Sequence, residues 1–323
     1  MKLPRRQFLH LAAGAVVLPA SVSAQGYPSR PVKIIVGQAA GSASDIVARL
    51  IAQFLSDKLG QQFLVEVRPG AAGNIATEAV THMPPDGYTL LLVNSQNAIN
   101  VALYEKLSFD FVRDIAPVCK VESVPLVMEV HPSVPVKTVP EFITYAKANP
   151  GKLNMASGGI GGPQHIAGEL FKFMAGVDLT HIPYKGTTPA VTDLVAGQVQ
   201  VMFDVTPTSL PLIKAGRLRP LGVTTTERLP FLPDVPTIDS FLRGYEAAGW
   251  IGFGVPKGTP PEIIATLNKQ TNAAVLDPTI QQRFADLGAV AVPPSSPDEF
   301  ARFIAENIDK WTKVIKFAGI KPQ

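Results

Sequence analysis

A short stretch near the beginning of the chain, VGQAAGSASDIVARL at residues 36–50, has residue types and spacing that could hold an anion. An apolar run at 31–36 leads into it, small residues follow around Gly37 and Gly41, and helical apolar spacing begins at Ile46. This order predicts a strand, a loop and a helix. The first amide groups of a helix have no acceptor within it and carry the positive end of its dipole. The stretch therefore indicates an anion site.

Two glycine-rich loops are candidates for such a site, and neither has the pattern of a nucleotide site. The loop at 37–42 lacks the Lys-Ser/Thr ending of a P-loop, and its spacing is too short. The loop at 157–164 begins like a dinucleotide fingerprint at Gly159 and Gly161, but Gln164 occupies the third glycine position. For each loop, a tight turn without a ligand remains the alternative.

Residue patterns for catalysis or metal binding are missing from the sequence. The histidines after residue 24 are His82, His131, His165 and His181, and no two of them are three to five residues apart. There is no Gly-x-Ser-x-Gly elbow. Cys119, the single cysteine, has apolar neighbours and is predicted to be a buried thiol. The sequence therefore predicts no catalytic residue, no metal site and no cofactor.

Neutral polar residues at predicted helix starts and strand ends are the candidate ligand donors: Ser42, Ser44, Ser95, Asn97, Ser157, Thr187 and Thr206. Asp45 is interpreted first as a cap of its own helix. Asp204 either accepts a hydrogen bond from a ligand or bonds to the following loop. Lys185, next to Tyr184, is either a ligand contact or a solvated surface residue. For His165, in a first helical turn, capping or packing is the alternative to ligand contact.

Alternating strands and helices position these residues. Predicted strands at 31–36, 63–67 and 88–93, with helices between them, form a parallel βαβαβ unit. A similar unit over 140–224 has three helices preceded by Gly162-Pro163, Thr188-Pro189 and Thr206-Pro207, which we interpret as N-cap and first helical positions. Strand C-termini and helix N-termini share one edge of a parallel sheet, so we expect these helices to begin around a common cleft.

The last third of the chain is predicted to be helical, over 260–275, 279–287 and 297–317, after a returning strand at 250–255. The final helix is expected to pack on the first domain. A chain of 323 residues exceeds the size of a single core, so two α/β domains are predicted. Domain 1 comprises residues 25–123 plus 245–323, and domain 2 comprises residues 124–244.

Residues 1–24 have the features of a signal peptide: a basic start, an apolar run too short to span a bilayer, and Val22-Ser23-Ala24 as the cleavage site. Arg5-Arg6 also fits a twin-arginine signal, which leaves the export route open. Removing three of the 29 basic residues leaves 26, equal to the 26 acidic residues. The mature chain thus has no net charge and no basic run, which argues against nucleic acid as a partner.

Several motifs together resemble the extracytoplasmic solute receptors of tripartite tricarboxylate transporters, the Bug family. They lie at residues 27–32, 41–45, 66–74, 85–90, 165–171, 182–186 and 232–237. The resemblance covers the whole mature chain. It implies a type II periplasmic binding-protein fold, in which two α/β domains joined by crossing strands close over a small carboxylate.

The resemblance also implies the ligand contacts. Loops 37–45 and 157–165 would hold the carboxylate through amides, hydroxyls and ordered water, with help from 95–97, 184–187 and 204–206. The expected contacts are Gln38, Ala39, Gly41, Ser42, Ala43, Ser44, Asp45, Ser95, Asn97, Ser157, Gly158, His165, Tyr184, Lys185, Gly186, Thr187, Asp204 and Thr206. Many relatives have Pro-Phe-Ala-Pro-Gly-Gly where this chain has Gly-Gln-Ala-Ala-Gly-Ser at 37–42, so the ligand identity cannot be transferred.

We therefore expect a periplasmic, monomeric receptor that binds a di- or tricarboxylate, an acidic amino acid or an aromatic carboxylate and delivers it to a membrane permease. Two rival hypotheses remain, of which the first uses the same cleft. One is a ligand sensor that signals to a membrane kinase. The other is an exported hydrolase or isomerase, which would turn its ligand over.

Overall fold

The computed structural model describes residues 26–320, which form two β-sheets flanked by helices. The predicted signal peptide, residues 1–24, lies outside the described residues. Within 26–320, no helix combines the length and the apolar composition needed to cross a bilayer.

The first sheet contains, in spatial order, β2 (Phe63–Val67), β1 (Val32–Val36), β3 (Thr89–Asn94), β10 (Gly249–Pro256), β4 (Ile115–Val124) and β11 (Val290–Ala291). Strand β1 pairs in parallel with β2 and β3, which confirms the predicted parallel unit. Strand β10 runs antiparallel between β3 and β4, so the returning strand is also confirmed.

Helices cover both faces of this sheet: α1 (Ala43–Leu59), α2 (Asn74–Thr81), α3 (Ser95–Leu103), α4 (Phe111–Asp114), α9 (Pro261–Val275), α10 (Pro278–Asp286) and α11 (Pro297–Phe317). Helix α1 buries Val47, Ile51 and Leu55 on one side. It ends at Gly60, whose left-handed backbone (φ 70°) costs glycine little. Because helices cover both faces, β3 and β10 are buried along their whole length.

The second sheet contains, in spatial order, β7 (Thr180–Pro183), β6 (Asn154–Ser157), β8 (Val201–Val205), β5 (Leu126–Val130) and β9 (Arg219–Val223). Its helices are α5 (Val139–Ala148), α6 (Pro163–Ala175), α7 (Thr187–Val195) and α8 (Thr206–Lys214). Strand β6 is parallel to β7 and β8, whereas β5 is antiparallel to β8 and β9.

Two neighbouring chain segments connect the sheets. Strand β4 continues through Pro125 into β5, and the chain returns to β10 after Thr224. The segments are hydrogen-bonded, since Leu126 N–H donates to Thr224 Oγ1 (2.9 Å) and Ala247 N–H donates to the Thr224 carbonyl (3.1 Å). The predicted domain limits, 25–123 plus 245–323 and 124–244, remain a prediction.

One apolar core joins the two sheets on the side of α11. It includes Leu91 and Trp250 from the first sheet together with Met128 and Phe203 from the second. Helix α11 packs on α3 and β4, as predicted, and also on α6, which the sequence did not indicate.

Some local predictions are wrong. Helix α7 begins at Thr187 rather than Pro189, and α8 begins at Thr206, with Val205 in the N-cap position and Pro207 second. The helix predicted between the strands at 63–67 and 88–93 is preceded by a separate 3₁₀ turn, Ala71–Gly73, and α2 itself begins at Asn74. Helix α3 and strands β4 and β5 were not predicted, because the apolar run at 115–130 has no clear period.

Gly252 in β10 tests how tightly this core is packed. A methyl group there would lie 2.5 Å from the Cys119 carbonyl oxygen and 2.5 Å from Phe300 Cζ. We expect Gly252→Ala to lower the free energy of unfolding by about 3 kcal/mol, because neither neighbour has room to move. Urea denaturation measures the change.

Gly249, in the same strand, is the matched control. A methyl group there comes no closer than 3.4 Å to its nearest neighbour, Val124 Cβ, so Gly249→Ala should change the free energy by less than about 1 kcal/mol. Equal effects of the two substitutions would contradict the packing described.

Candidate functional site

A cleft between the two sheets contains two adjoining cavities, of about 450 Å³ and about 350 Å³. Both are lined by Ala72, Gln96, Pro163 and Val205, so they form one continuous space. Val124, Leu126 and Gly249 of the connecting segments also line the larger cavity. The cleft therefore lies where the chain crosses between the sheets.

The N-termini of several helices border this cleft. Ala43 and Ser44 begin α1, Ser95 begins α3, and Pro163 begins α6 at the larger cavity, and Thr187 begins α7 at the smaller one. Within residues 26–320, the amide groups of Ala43 and Ser44 have no hydrogen-bond acceptor. These N–H groups and the helix dipoles provide a partial positive charge for an anion.

The part of the chain that the structure describes gives the cleft a lining of neutral residues. Among the described residues, no Lys, Arg, His, Asp or Glu lines either cavity. The walls are instead small and apolar residues with a few neutral amides and hydroxyls. An anion in this cleft would therefore be solvated by neutral donors rather than by a salt bridge.

The loop before α1 is fixed by its own polar groups. Ser42 Oγ accepts a hydrogen bond from Asp45 N–H (3.3 Å), and Asp45 Oδ2 accepts one from Gly41 N–H (2.8 Å). Burial disfavours ionisation of Asp45, but the Gly41 bond and the ion pair with Arg49 (3.0 Å) hold the pKa of this carboxyl below its usual value. Asp45 is thus an ionised residue of the first helical turn that fixes the loop before α1, whereas Ser42 is the N-cap residue.

The glycine-rich loop at 157–164 is fixed by the side chain of Gln164, which Asp204 orients. Gln164 Oε1 accepts a hydrogen bond from Gly158 N–H (2.7 Å), and its Nε2 donates to Asp204 Oδ1 (2.6 Å) and to Thr187 Oγ1 (3.2 Å). The other oxygen of Asp204 accepts bonds from Thr208 and Ser209. Burial raises the pKa of Asp204 to about 6, against these hydrogen bonds. Asp204 thus makes the internal bonds that were one of its two predicted roles, and its contact with a ligand remains a prediction.

Two stacked imidazole rings, of His165 and His181, also hold the loop at 157–164. The rings of His165 and His181 are 3.8 Å apart and nearly parallel (13°). His165 Nδ1 accepts a hydrogen bond from Gly161 N–H (3.0 Å), and His181 Nε2 is 2.7 Å from Ser157 Oγ. Both histidines therefore position the loop, and neither lines the cleft.

A strained loop at 70–73 contributes to the lining of the cleft, and Ala72 lines both cavities. Ala71 and Ala72 have positive φ angles of 45° and 52°, a conformation that is rare outside glycine. Asn100 compensates for this strain, because its Nδ2 donates to the Ala72 carbonyl (3.0 Å) and to Asn74 Oδ1 (2.7 Å). Gly37 lets this loop approach closely, since a methyl group there would lie 2.8 Å from Gly73 Cα.

The predicted contacts fall into two groups. Those that line the cleft are Gln38, Ala39, Ala43, Ser44, Ser95, Gly158 and Thr187. Those that lie outside the lining are Gly41, Ser42, Asp45, Asn97, Ser157, His165, Tyr184, Lys185, Gly186, Asp204 and Thr206.

Most residues of the second group have internal partners. Asn97 Nδ2 donates to Thr77 Oγ1 (2.9 Å), and Tyr184 Oη donates to Asp193 (2.6 Å). Thr206 is fully buried, and its hydroxyl donates to the Gly288 carbonyl. Lys185 is exposed, and its contact with a ligand remains a prediction.

Sequence reasoning missed Gln96, Ala72 and Trp250 as lining residues. Gln96 lies between two predicted contacts, but without a predicted helix α3 nothing indicated which of the three faces the cleft. Ala72 belongs to the motif at 66–74, for which the family resemblance implies no ligand contact. Trp250 was assigned only to a strand, and its contact with the cleft depends on the crossing of the sheets.

Known proteins resemble this chain over nearly its whole length. A family model described as "Tripartite tricarboxylate transporter family receptor" matches residues 47–320. The chain is 37% identical over 316 residues to the protein BugT of Bordetella pertussis, which covers 97% of this chain and 96% of BugT.

Solved structures of similar proteins also match this chain over most of its length. R. palustris Rpa4515 with adipate has a TM-score of 0.75 and 38% identity, and covers 92% of this chain and 100% of its own. MatC from Rhodopseudomonas palustris with bound malate has a TM-score of 0.71 and 33% identity. The match covers 90% of this chain and 100% of the MatC chain. The predicted fold class, the two-domain α/β fold of type II periplasmic binding proteins, is confirmed.

The stacked histidines predict how stability depends on pH. Burial, with the neighbouring His165 as a second cause, lowers the pKa of His181 from 6.5 to about 4. The folded protein therefore takes up this proton less readily than the unfolded chain. The contribution of neutral His181 to the free energy of unfolding is therefore complete above pH 6.5 and is lost as the pH falls towards 4.

We expect His181→Gln to reduce this loss. The difference in free energy of unfolding between the native protein and the variant should be constant above pH 7 and shrink between pH 6.5 and 4. Urea denaturation at several pH values measures it, with the plateau above pH 7 as the internal control. Parallel curves down to pH 4 would contradict the role of His181.

Proposed function

The chain belongs to the tripartite tricarboxylate transporter receptor family, and on that premise we propose that it captures a small organic carboxylate in the cleft between its two sheets. The predicted family resemblance is thereby confirmed. Receptors of this family are periplasmic and bind substrates rather than convert them. The observation that carries the proposal is that, within residues 26–320, the amide groups of Ala43 and Ser44 have no acceptor and no charged side chain lines the cleft in front of them.

The neutral cleft suits a reversible receptor. Burying a carboxylate against an arginine would cost desolvation of both groups, whereas helix N-termini are already oriented and lose little on binding. The apolar side chains of Val124, Leu126 and Trp250 would contact the carbon skeleton of the ligand. MatC and Rpa4515, at 33% and 38% identity, were solved with carboxylates, which supports the same ligand class for this chain.

We propose export to the periplasm through the signal peptide at 1–24, monomeric action without turnover, and delivery of the ligand to membrane permease subunits. The connecting segments near Pro125 and Thr224 would act as the hinge between domains 25–123 plus 245–323 and 124–244.

Calorimetry with a panel of organic carboxylates tests the proposal. A binder should titrate with one site per chain, raise the melting temperature, and be recovered unchanged by mass spectrometry. Conversion of the ligand would favour the rival hydrolase or isomerase. Failure of every carboxylate to bind would overturn the proposal.

Ala43→Pro tests the amide groups directly. Ala43 is the first residue of α1, where proline is well tolerated, and Ser42 before it has the extended backbone (φ −69°, ψ 162°) that proline requires. The substitution removes one free N–H group without disturbing a hydrogen bond. We expect at least a tenfold loss of affinity, about 1.4 kcal/mol, with little change in melting temperature.

Ala43→Ser keeps the N–H group and serves as the control. Calorimetry on both variants, with the tightest carboxylate of the panel, gives the comparison. Unchanged affinity of Ala43→Pro would exclude this amide from the site.

A further inference from the structure

Two carboxyl groups, those of Asp204 and Glu129, are enclosed in the second sheet next to the cleft. Asp204 lies near the end of β8, and the residue after it, Val205, lines both cavities. Glu129 lies on the neighbouring strand β5, where Val127 is the residue opposite Asp204. Glu129 and Asp204 are therefore diagonal neighbours on one face of an antiparallel pair. Both residues are completely buried.

Within residues 26–320, no positive charge balances this acid pair. None of the ion pairs includes Asp204 or Glu129. Neither carboxyl oxygen of Glu129 has a hydrogen-bond partner, whereas Asp204 is held by the neutral donors Gln164, Thr208 and Ser209. Burial, with the neighbouring Asp204 as a second cause, raises the pKa of Glu129 well above 4.5. The pair therefore keeps at least one proton at neutral pH.

The charged and titratable groups of the surrounding elements are engaged elsewhere or exposed. Arg219 donates to two backbone carbonyls, Asp193 accepts from the Tyr184 hydroxyl, and His165 Nε2 faces Glu169 at 3.6 Å. The full set is His165, Glu169 and Lys172 on α6, His181 on β7, Lys185 before α7, Asp193 on α7, Lys214 on α8, Arg219 on β9, and Glu227, Arg228 and Asp234 after β9.

One side chain separates Asp204 from the space in the cleft. Gln164 lines the smaller cavity, and its Nε2 donates to Asp204 Oδ1 (2.6 Å). An anion in the cleft and an ionised Asp204 repel each other, and this repulsion does not require contact. At an effective dielectric constant of about 20, the interaction of two unit charges about 10 Å apart changes an equilibrium about tenfold.

We propose that the acid pair of Asp204 and Glu129 takes up a proton when the ligand binds, so that the receptor captures its carboxylate together with a proton. The inference rests on the proposed function. The proton comes from the solvent and neutralises Asp204, which removes the repulsion. Gln164 keeps its hydrogen bond, because a protonated carboxyl group still has an oxygen that accepts from Nε2.

The ionisation of Asp204 sets the direction of the pH dependence. Burial raises its pKa to about 6, so that Asp204 is ionised above this pH and neutral below it. A bound anion disfavours the ionised form and raises this pKa further. By linkage, the carboxylate binds more tightly as the pH falls from 7.5 to 5.5.

Calorimetry of the mature chain in buffers of different ionisation enthalpy counts the protons taken up, with malate, adipate and benzoate as probes. Near pH 6.5, the native protein should take up about half a proton more per bound ligand than Asp204→Asn does. This difference cancels any proton that the ligand itself takes up. The ratio of native to variant affinity should rise about fivefold from pH 7.5 to pH 5.5.

Glu122→Gln is the matched control. Glu122 is also a buried carboxyl group, on β4 of the other sheet, and burial raises its pKa to about 8. It is therefore mostly protonated near pH 6.5 with or without ligand, and the variant should keep the uptake.

Thr208→Val tests the inference independently of Asp204→Asn, including the case in which that variant does not fold. It removes a hydroxyl donor to Asp204 Oδ2, which disfavours the ionised form. The pH of greatest proton uptake should therefore move upward.

The outcomes separate this inference from the proposed function. Equal uptake by the native protein and Asp204→Asn, an uptake lost in Glu122→Gln, or an unchanged pH of greatest uptake in Thr208→Val would overturn the inference alone. Failure of the three probes and of the wider carboxylate panel to bind at either pH would overturn the proposed function and the inference with it.

Discussion

The amide groups at the helix N-termini around the cleft are the constraint on which the rest of the structure depends. Ala43 and Ser44 leave two donors without acceptors, and no charged side chain of the described chain lines the space in front of them. An anion is the ligand that such a space solvates best. Because the donors belong to the backbone, their positions are set by the fold and not by flexible side chains.

Most of the polar side chains near the cleft serve to fix these donors. Asp45 holds the loop before α1, Gln164 and Asp204 hold Gly158, and the stacked pair of His165 and His181 holds the loop below it. Residues that resemble ligand contacts in the sequence are thus largely positioning groups.

The sequence predicted the order of elements well, because apolar periodicity and glycine stops are local signals. The parallel strands β1 to β3 and the full span of α11 follow from such signals. Which face of an element meets the cleft depends on contacts between distant segments, and this part could not be predicted. Gln96 and Trp250 show the difference, since each lines the cleft through packing that no local pattern records. The positive φ angles of Ala71 and Ala72 were equally invisible, because alanine does not normally signal that conformation.

A crystal structure of the protein with a bound carboxylate, chosen as the tightest binder of the panel, is the most direct measurement of the central claim. We expect a carboxylate oxygen within about 2.7–3.1 Å of the amide nitrogen of Ala43 or Ser44, with no Lys or Arg nitrogen in contact. A carboxylate paired with a cationic side chain, or a ligand bound outside the cleft, would contradict it.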